Sequence, residues 1–242
     1  MKSLKREVFR HYDEKEAATW KLLFQNLQEN RREMAVPMFA EGIRALGLCA
    51  DRMPSLDDVN ARLKERTGWC GVPVEGLEPG DSFYPALARK EYPIGNFIRD
   101  AKDVNYTPAP DIFHDLYGHL PFFVDRAYAD FCTEYGKLVS RYMESAGRLE
   151  MFERFFWFTI EFALMETPRG RRIFGAGILS SINESLCSLS DEPDVRAFDI
   201  ETICNQSFRS DEIQPRLFVL ESTEQLYRSL PDLERYVTRA TG

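Results

Sequence analysis

The sequence predicts a mainly α-helical fold, on three observations. Its first part reads as amphipathic helices separated by short polar punctuation, longer helical patterns return after residue 110, and only short stretches carry a strand signature. No shift of composition along the 242 residues marks a boundary and no repeat or low-complexity tract interrupts them, so residues 1–242 read as one domain.

Taken in order, residues 14–32 place Trp20, Leu23, Phe24 and Leu27 three or four apart on one helix face. Ser55 with Asp58 three residues later, a variant of the capping box, opens another helix, which Gly68 closes. Residues 69–81, WCGVPVEGLEPGD, are rich in Gly and Pro without a helical period and predict a long ordered loop or short strands. A short helix near 83–90 follows, and then 92–110 reads as irregular backbone punctuated by prolines. Asp111 is placed to cap a short helix that Gly118 and Pro121 should end. Residues 125–145 and 148–166 read as two longer helices, the second stopped by Pro168 and Gly170. The remainder holds the glycine-rich FGAGILSS, a helix at 182–189, a short strand at 217–220 and a last helix from Thr223.

Bulk properties exclude several function classes. An apolar fraction of 44% with 29% charged residues is that of a folded globule. A formal net charge of -8 leaves no basic stripe for phosphate, so nucleic acid is not expected as a partner. The five cysteines are scattered without a Cys-x-x-Cys pair, which suggests neither a disulfide framework nor a thiolate zinc site and points to the cytoplasm. The amino terminus lacks the pattern of a secretory signal. The most apolar stretch, 155–165, has about half of the ~20 residues a bilayer requires and contains Glu161, so no membrane association is expected.

Two anomalies carry chemistry. Of only three histidines, His114 and His119 lie five apart in PDIFHDLYGHLPFF. On one continuous α-helix they would point roughly 140° apart, too wide to share a ligand. A helix that ends between them at Gly118 would let His119 turn back toward His114. Glu161 sits in FFWFTIEFALM, where a helix would bury it almost all round, at a cost of several kcal/mol unless it is paired or protonated. A bound cation resolves that cost, and two imidazoles with one carboxylate form the ligand set of non-haem ferrous oxygenases, with positions left open for dioxygen. Read from the residues alone, alternatives stay open: the histidines as satisfied polar side chains, Glu161 as the partner of an arginine, or a zinc hydrolase, although its His-Glu-x-x-His pattern is absent.

The segments PAPDIFHDLYGHLPFF, FFWFTIEFAL and FGAGILSS, in this order, resemble the catalytic domain of pterin-dependent aromatic amino acid hydroxylases, over about residues 20–230 and closest to the bacterial, phenylalanine-acting branch. The resemblance implies a mainly helical basket with little β structure, an Fe(II) ion at its floor, a tetrahydropterin beside it, and dioxygen as co-substrate. It places the metal ligands and catalytic centre on His114, His119 and Glu161. For the amino acid it implies Arg99 as the grip on the carboxylate, Asp111 as the partner orienting it, and Thr107, Pro110, Gly177 and Ser180 around the amino-acid moiety. Ser180 would also bond His114, and Trp157 and Phe162 would wall the ring pocket. For the pterin it implies stacking on Phe83 beside Gly76 and Leu77, with Asp115 and Phe156 as neighbours.

The sequence also departs from the family. Glu78 stands where the mammalian enzymes carry an apolar residue, Pro93 where they carry a histidine, and Ala109 replaces a glutamate. Ser210 occupies a substrate-side position that differs between the tyrosine and phenylalanine enzymes, which puts ring specificity in play. Trp157 resembles the phenylalanine and tyrosine enzymes rather than those acting on tryptophan. The expectation is hydroxylation of phenylalanine to tyrosine, with attack at another ring position or on tryptophan as rival, and a non-catalytic aromatic amino acid binding protein as the alternative of another class. Neither a regulatory domain nor a tetramerising heptad helix is read, so a monomer is expected.

Overall fold

The structure of the protein, a computed structural model, describes residues 2–104 and 109–240. Helix α1, Glu14–Asn26, opens on the side chain of Asp13 in a capping box with Glu16, and buries Trp20, Leu23 and Phe24. It is shorter than the 14–32 pattern suggests, because a wide turn at Asn30–Met34, closed by Ala35 N–H on the Asn30 carbonyl, follows it. Helix α2, Pro37–Leu46, starts on proline, where no N–H is needed, and stops at Gly47 in the left-handed region, φ 65°. Helix α3, Leu56–Arg66, begins as expected, with Ser55 accepting from the Asp58 N–H.

Strand β1, Cys70–Val74, and strand β2, Glu91–Gly95, pair in parallel around helix α4, Gly80–Ala88. The sequence reading takes 92–110 as irregular, and β2 corrects its start. The EYPIG run is buried at four of its five positions, so it shows no alternation, and Pro93 is tolerated because a two-stranded sheet has only edge strands.

The stretch after Asp111 corrects a second expectation: the helix does not fail at Gly118. It widens into a π turn, His114–His119, and continues as a 3-10 turn, Leu120–Val124. Gly118 serves close packing instead of termination, since a Cβ there would stand 2.9 Å from the Ala176 carbonyl oxygen. Helix α5, Arg126–Ser140, is capped by Asp125. Helix α6, Ala146–Phe156, runs into another π turn, Trp157–Glu161, and the chain then leaves the helix as strand β3, Ala163–Met165. The helix expected to reach 166 therefore ends five residues earlier: an apolar run suits either state, and pairing with a distant strand decides it.

Strand β4, Arg172–Ile173, is followed by helix α7, Ala176–Leu179, and helix α8, Ile182–Ser188. Strand β5, Asp194–Ala197, helix α9, Ile200–Asn205, strand β6, Arg216–Leu220, helix α10, Thr223–Arg228, and helix α11, Leu230–Ala240, complete the chain. The second sheet has the order β4-β3-β6-β5, with β3 and β5 parallel to β6 and β4 antiparallel to β3. Among the described residues the fold is thus mainly α with two small sheets, and no helix is long and apolar enough to cross a membrane.

One continuous apolar core reaches from Trp20 on α1 to Val237 on α11. Its centre backs the segment that carries the histidines. Phe113 stacks on Tyr117 with centroids 4.6 Å apart, while Trp20 meets Phe113 and Phe39 meets Tyr117 edge-on. Each of these four side chains is fully buried and contributes roughly 2–3 kcal/mol, so the histidine segment is held from behind by aromatic packing.

Candidate metal centre

The two π turns bring the chemistry together. A turn closed by i→i+5 bonds holds more residues than an α turn, so a five-residue step returns near its starting side. The Leu120 N–H bonds the Asp115 carbonyl across the first of these turns, and the rings of His114 and His119 come to 4.7 Å between centroids. This widening achieves the convergence that the sequence reading assigns to a broken helix. In the second turn, Phe162 N–H bonds the Trp157 carbonyl at 2.9 Å, and Glu161 ends the helix beside both rings.

The Nε2 atoms of the two histidines are 3.0 Å apart; His119 Nε2 lies 3.0 Å from Glu161 Oε1, and His114 Nε2 lies 3.7 Å from Glu161 Oε2. Burial pushes the His114 imidazole down to about 4, against the opposing pull of Glu161, so it is neutral near pH 7. Burial pushes the Glu161 carboxyl up, but His119, His114 and the Gly177 N–H outweigh it and hold the group below its usual range, ionised. His114 Nδ1 is 2.8 Å from Ser180 Oγ, which itself donates to the Ala176 carbonyl at 2.8 Å. The hydroxyl must then accept from Nδ1–H, which leaves the Nε2 lone pair facing Glu161.

This donor set fits a cation. Two ligand atoms each about 2.1 Å from one ion, at right angles to each other, stand about 3.0 Å apart, as the imidazole nitrogens do. The three ligand atoms fall within 4.8 Å of one another.

Two cavity lobes, of about 370 Å³ and 440 Å³, meet over this centre, and His114 and Glu161 line both. In the first lobe lie Arg99, Pro110, Trp157, Phe162, Gly177, Ser180 and Ser210, all singled out in the sequence for the substrate. Arg99 is 6% exposed and donates through Nε and Nη2 to the two carboxylate oxygens of Asp111, at 2.9 and 2.8 Å. Asp111 is fully buried and also accepts from the N–H groups of Arg99 and His114; burial pushes its carboxyl up, but Arg99 overrides this, holds it below the usual carboxylate range and keeps it ionised. Asp111 therefore does not line the lobe itself but orients Arg99, whose Nη1 edge the pair does not use. Thr107 lies outside the described residues.

The second lobe is lined by Gly76, Leu77, Phe83, Asp115 and Phe156, the group singled out for the pterin, together with the departures Glu78 and Pro93. Phe83 is held edge-on by Tyr84, Tyr92 and Phe156, at 5.2, 5.9 and 5.4 Å. Asp115 accepts from the Gly95 N–H at 2.7 Å, and burial pushes its carboxyl well above the usual range.

Sequence reasoning missed Glu184, Gln214 and Phe208. Glu184 lines the first lobe, is 8% exposed and is pushed by burial up to about 7. Its Ser-x-x-Glu spacing after Ser181 spells a helix cap, which conceals a pocket residue. Phe208 stacks on Trp157 at 4.2 Å and 10°. Gln214, in a loop with no regular period, offered no local signal.

Two imidazoles and a carboxylate clustered beneath an open cavity are the donor set that a mononuclear metal centre of the facial-triad class uses. The profile of biopterin-dependent aromatic amino acid hydroxylases matches residues 7–240, and the chain belongs to that family. It is 39% identical to a phenylalanine-4-hydroxylase of Chromobacterium violaceum over 217 residues, covering 89% of this chain and 73% of the relative. It is 38% identical to one from Pseudomonas aeruginosa, over 91% of this chain and 83% of that protein. The crystal structure of the C. violaceum enzyme with bound iron(III) and oxidised 7,8-dihydrobiopterin superposes with a TM-score of 0.89 at 37% identity, covering 95% of this chain and 84% of that one.

Proposed function

We propose that this chain is an Fe(II)- and tetrahydropterin-dependent monooxygenase that hydroxylates the ring of L-phenylalanine to give L-tyrosine, with residues 7–240 as the catalytic unit. One observation carries the reading: two lobes meet over His114, His119 and Glu161, with a paired arginine in one and an edge-braced aromatic in the other. When bound, iron and the reduced pterin would activate dioxygen, with the pterin giving up two electrons and dioxygen providing the oxygen atom.

The chain's residues do the positioning. His114, His119 and Glu161 hold the ion on one side and leave the cavity side for small molecules. Arg99, fixed by Asp111, takes the substrate carboxylate on its remaining guanidinium edge, and a fork suits that planar group better than a point charge. With the carboxylate anchored, Trp157 and Phe162, 4.5 Å apart, confine the aromatic ring and exclude water. Phe83 offers a flat face to a pterin, with Gly76, Leu77, Asp115 and Phe156 around it.

The test is direct. Purified protein is supplied with ferrous iron, a tetrahydropterin, air and each aromatic amino acid in turn, and the products are identified by mass spectrometry. Tyrosine from phenylalanine is the expected product. A different hydroxylated isomer would redefine the ring position, and no hydroxylated product from any of them would refute the assignment.

A further inference from the structure

We infer that Gln214 is a positioning residue that decides which ring carbon of the bound amino acid faces the metal centre, by fixing Trp157 and the 206–215 loop as one wall; the inference rests on the function proposed above. Gln214 is 2% exposed, and every polar group of its side chain is engaged. Its Oε1 accepts from the indole Nε1–H of Trp157 at 3.0 Å. Its Nε2 donates to the carbonyls of Arg209 and Glu212, at 2.7 and 2.9 Å, tying together the loop between α9 and β6. Its backbone N–H donates to Glu184 Oε1 at 3.1 Å, which joins the loop to α8.

These bonds run between groups that the substrate lobe needs in register. Trp157 and Ser210 line both lobes, and Glu184 lines the first. The first turn of α8 follows directly on Ser180, the partner of His114. A path of hydrogen bonds and one helix turn therefore leads from the histidine through Ser180, α8 and Glu184 to Gln214, and from there to the indole. Arg99 fixes the far end of the substrate, so the ring has little freedom except rotation and tilt against Trp157. An amide side chain suits this node because it accepts from one partner and donates to two, which neither a carboxylate nor a hydroxyl does. The indole is otherwise held by ring contacts with Phe208 and Phe162, and ring stacking permits sliding that a hydrogen bond does not.

The test uses Gln214→Met, which keeps the side-chain length and removes the polar contacts. The expected variant binds iron like the wild type but has an amino-acid KM raised roughly tenfold, as for a lost buried hydrogen bond. It also oxidises more pterin per hydroxylated product and spreads the product over more than one ring position. In the metal-free protein, the Trp157 indole N–H resonance should shift, while that of Trp20, bonded to the Cys49 carbonyl, should not. Glu184→Leu should show the same trends, and it serves if the Met variant does not fold; Glu184→Gln, which keeps an acceptor, should retain one product. Leu233→Ala, remote on α11, controls for general loosening and should also retain one product. An active wild type whose Gln214→Met variant keeps its KM, coupling, product and indole resonance overturns this inference alone, as does equal scatter of product in Leu233→Ala. A wild type that forms no product overturns the proposed function with it.

Discussion

Replacing Arg99 by alanine separates binding of the substrate from assembly of the metal centre. The guanidinium is 6% exposed and paired on one edge with a carboxylate that is wholly buried. Losing such a buried, hydrogen-bonded charge from a ligand site weakens binding by about 2–5 kcal/mol, and the middle of that range corresponds to a KM increase of roughly several-hundredfold. The change also strands Asp111, which keeps only the N–H groups of residue 99 and His114 as donors. A stranded buried carboxylate costs about 3 kcal/mol, and a chain of this size should lose roughly 6–12 °C in Tm. The two effects are told apart by adding Asp111→Asn, which removes the stranded charge and leaves an acceptor for the two N–H groups. The double variant should regain much of the lost Tm but none of the lost affinity. The assay is steady-state kinetics at saturating pterin, with iron content and melting measured on the same samples. A single variant with KM within about threefold of wild type, or a double variant that recovers KM along with Tm, would refute the direct role of the guanidinium.

Glu161→Ala should leave a folded protein that no longer retains ferrous iron, as read by metal analysis after desalting; a full complement of iron would contradict the ligand assignment. At Gly177 an added Cβ would meet Phe162 Cζ at 2.7 Å and Cε2 at 2.9 Å. Gly177→Ala must therefore push that ring toward the substrate lobe, and calorimetry should show phenylalanine binding weakened roughly tenfold, in line with an overpacking strain of about 1–3 kcal/mol; unchanged affinity would show that the ring yields elsewhere. Burial raises Glu184 to about 7, above its ordinary 4.5, so the folded chain holds a proton that the unfolded chain releases. Its contribution to stability is thus present below about pH 4.5 and is lost as pH rises to about 7, by roughly 3 kcal/mol at most. Glu184→Gln should flatten the Tm profile across that window, and a profile parallel to wild type would remove Glu184 as its cause.

How much of this was legible in the sequence depended on whether a signal was local. The cap at Ser55, the start of α5 at Asp125 and the burial of Trp20 and Leu23 follow from neighbouring residues, and those readings hold. Strands β2 and β3 were missed because their apolar runs become strands only on meeting β1 and β6. At the centre, the rarity of histidine and the oiliness around Glu161 singled out three side chains that the structure brings within 4.8 Å of one another, by a widened turn where a broken helix was expected. Arg99 alone reads as one more surface arginine, and only the family resemblance singled it out before its buried pairing was seen. Gln214 was invisible for a different reason: its partners lie 57 and 30 residues away, beyond any periodicity.

The wide turn at residues 114–119 bears on how chelating pairs are sought in helical proteins. A search for donors spaced by four residues encodes the pitch of the α-helix and would pass over this chain. What the ion requires is that two donors sit one revolution apart, and the backbone is free to set how many residues a revolution contains. A donor pair at a spacing of five is then itself a hint of a locally unwound rung, recognisable before any coordinates exist.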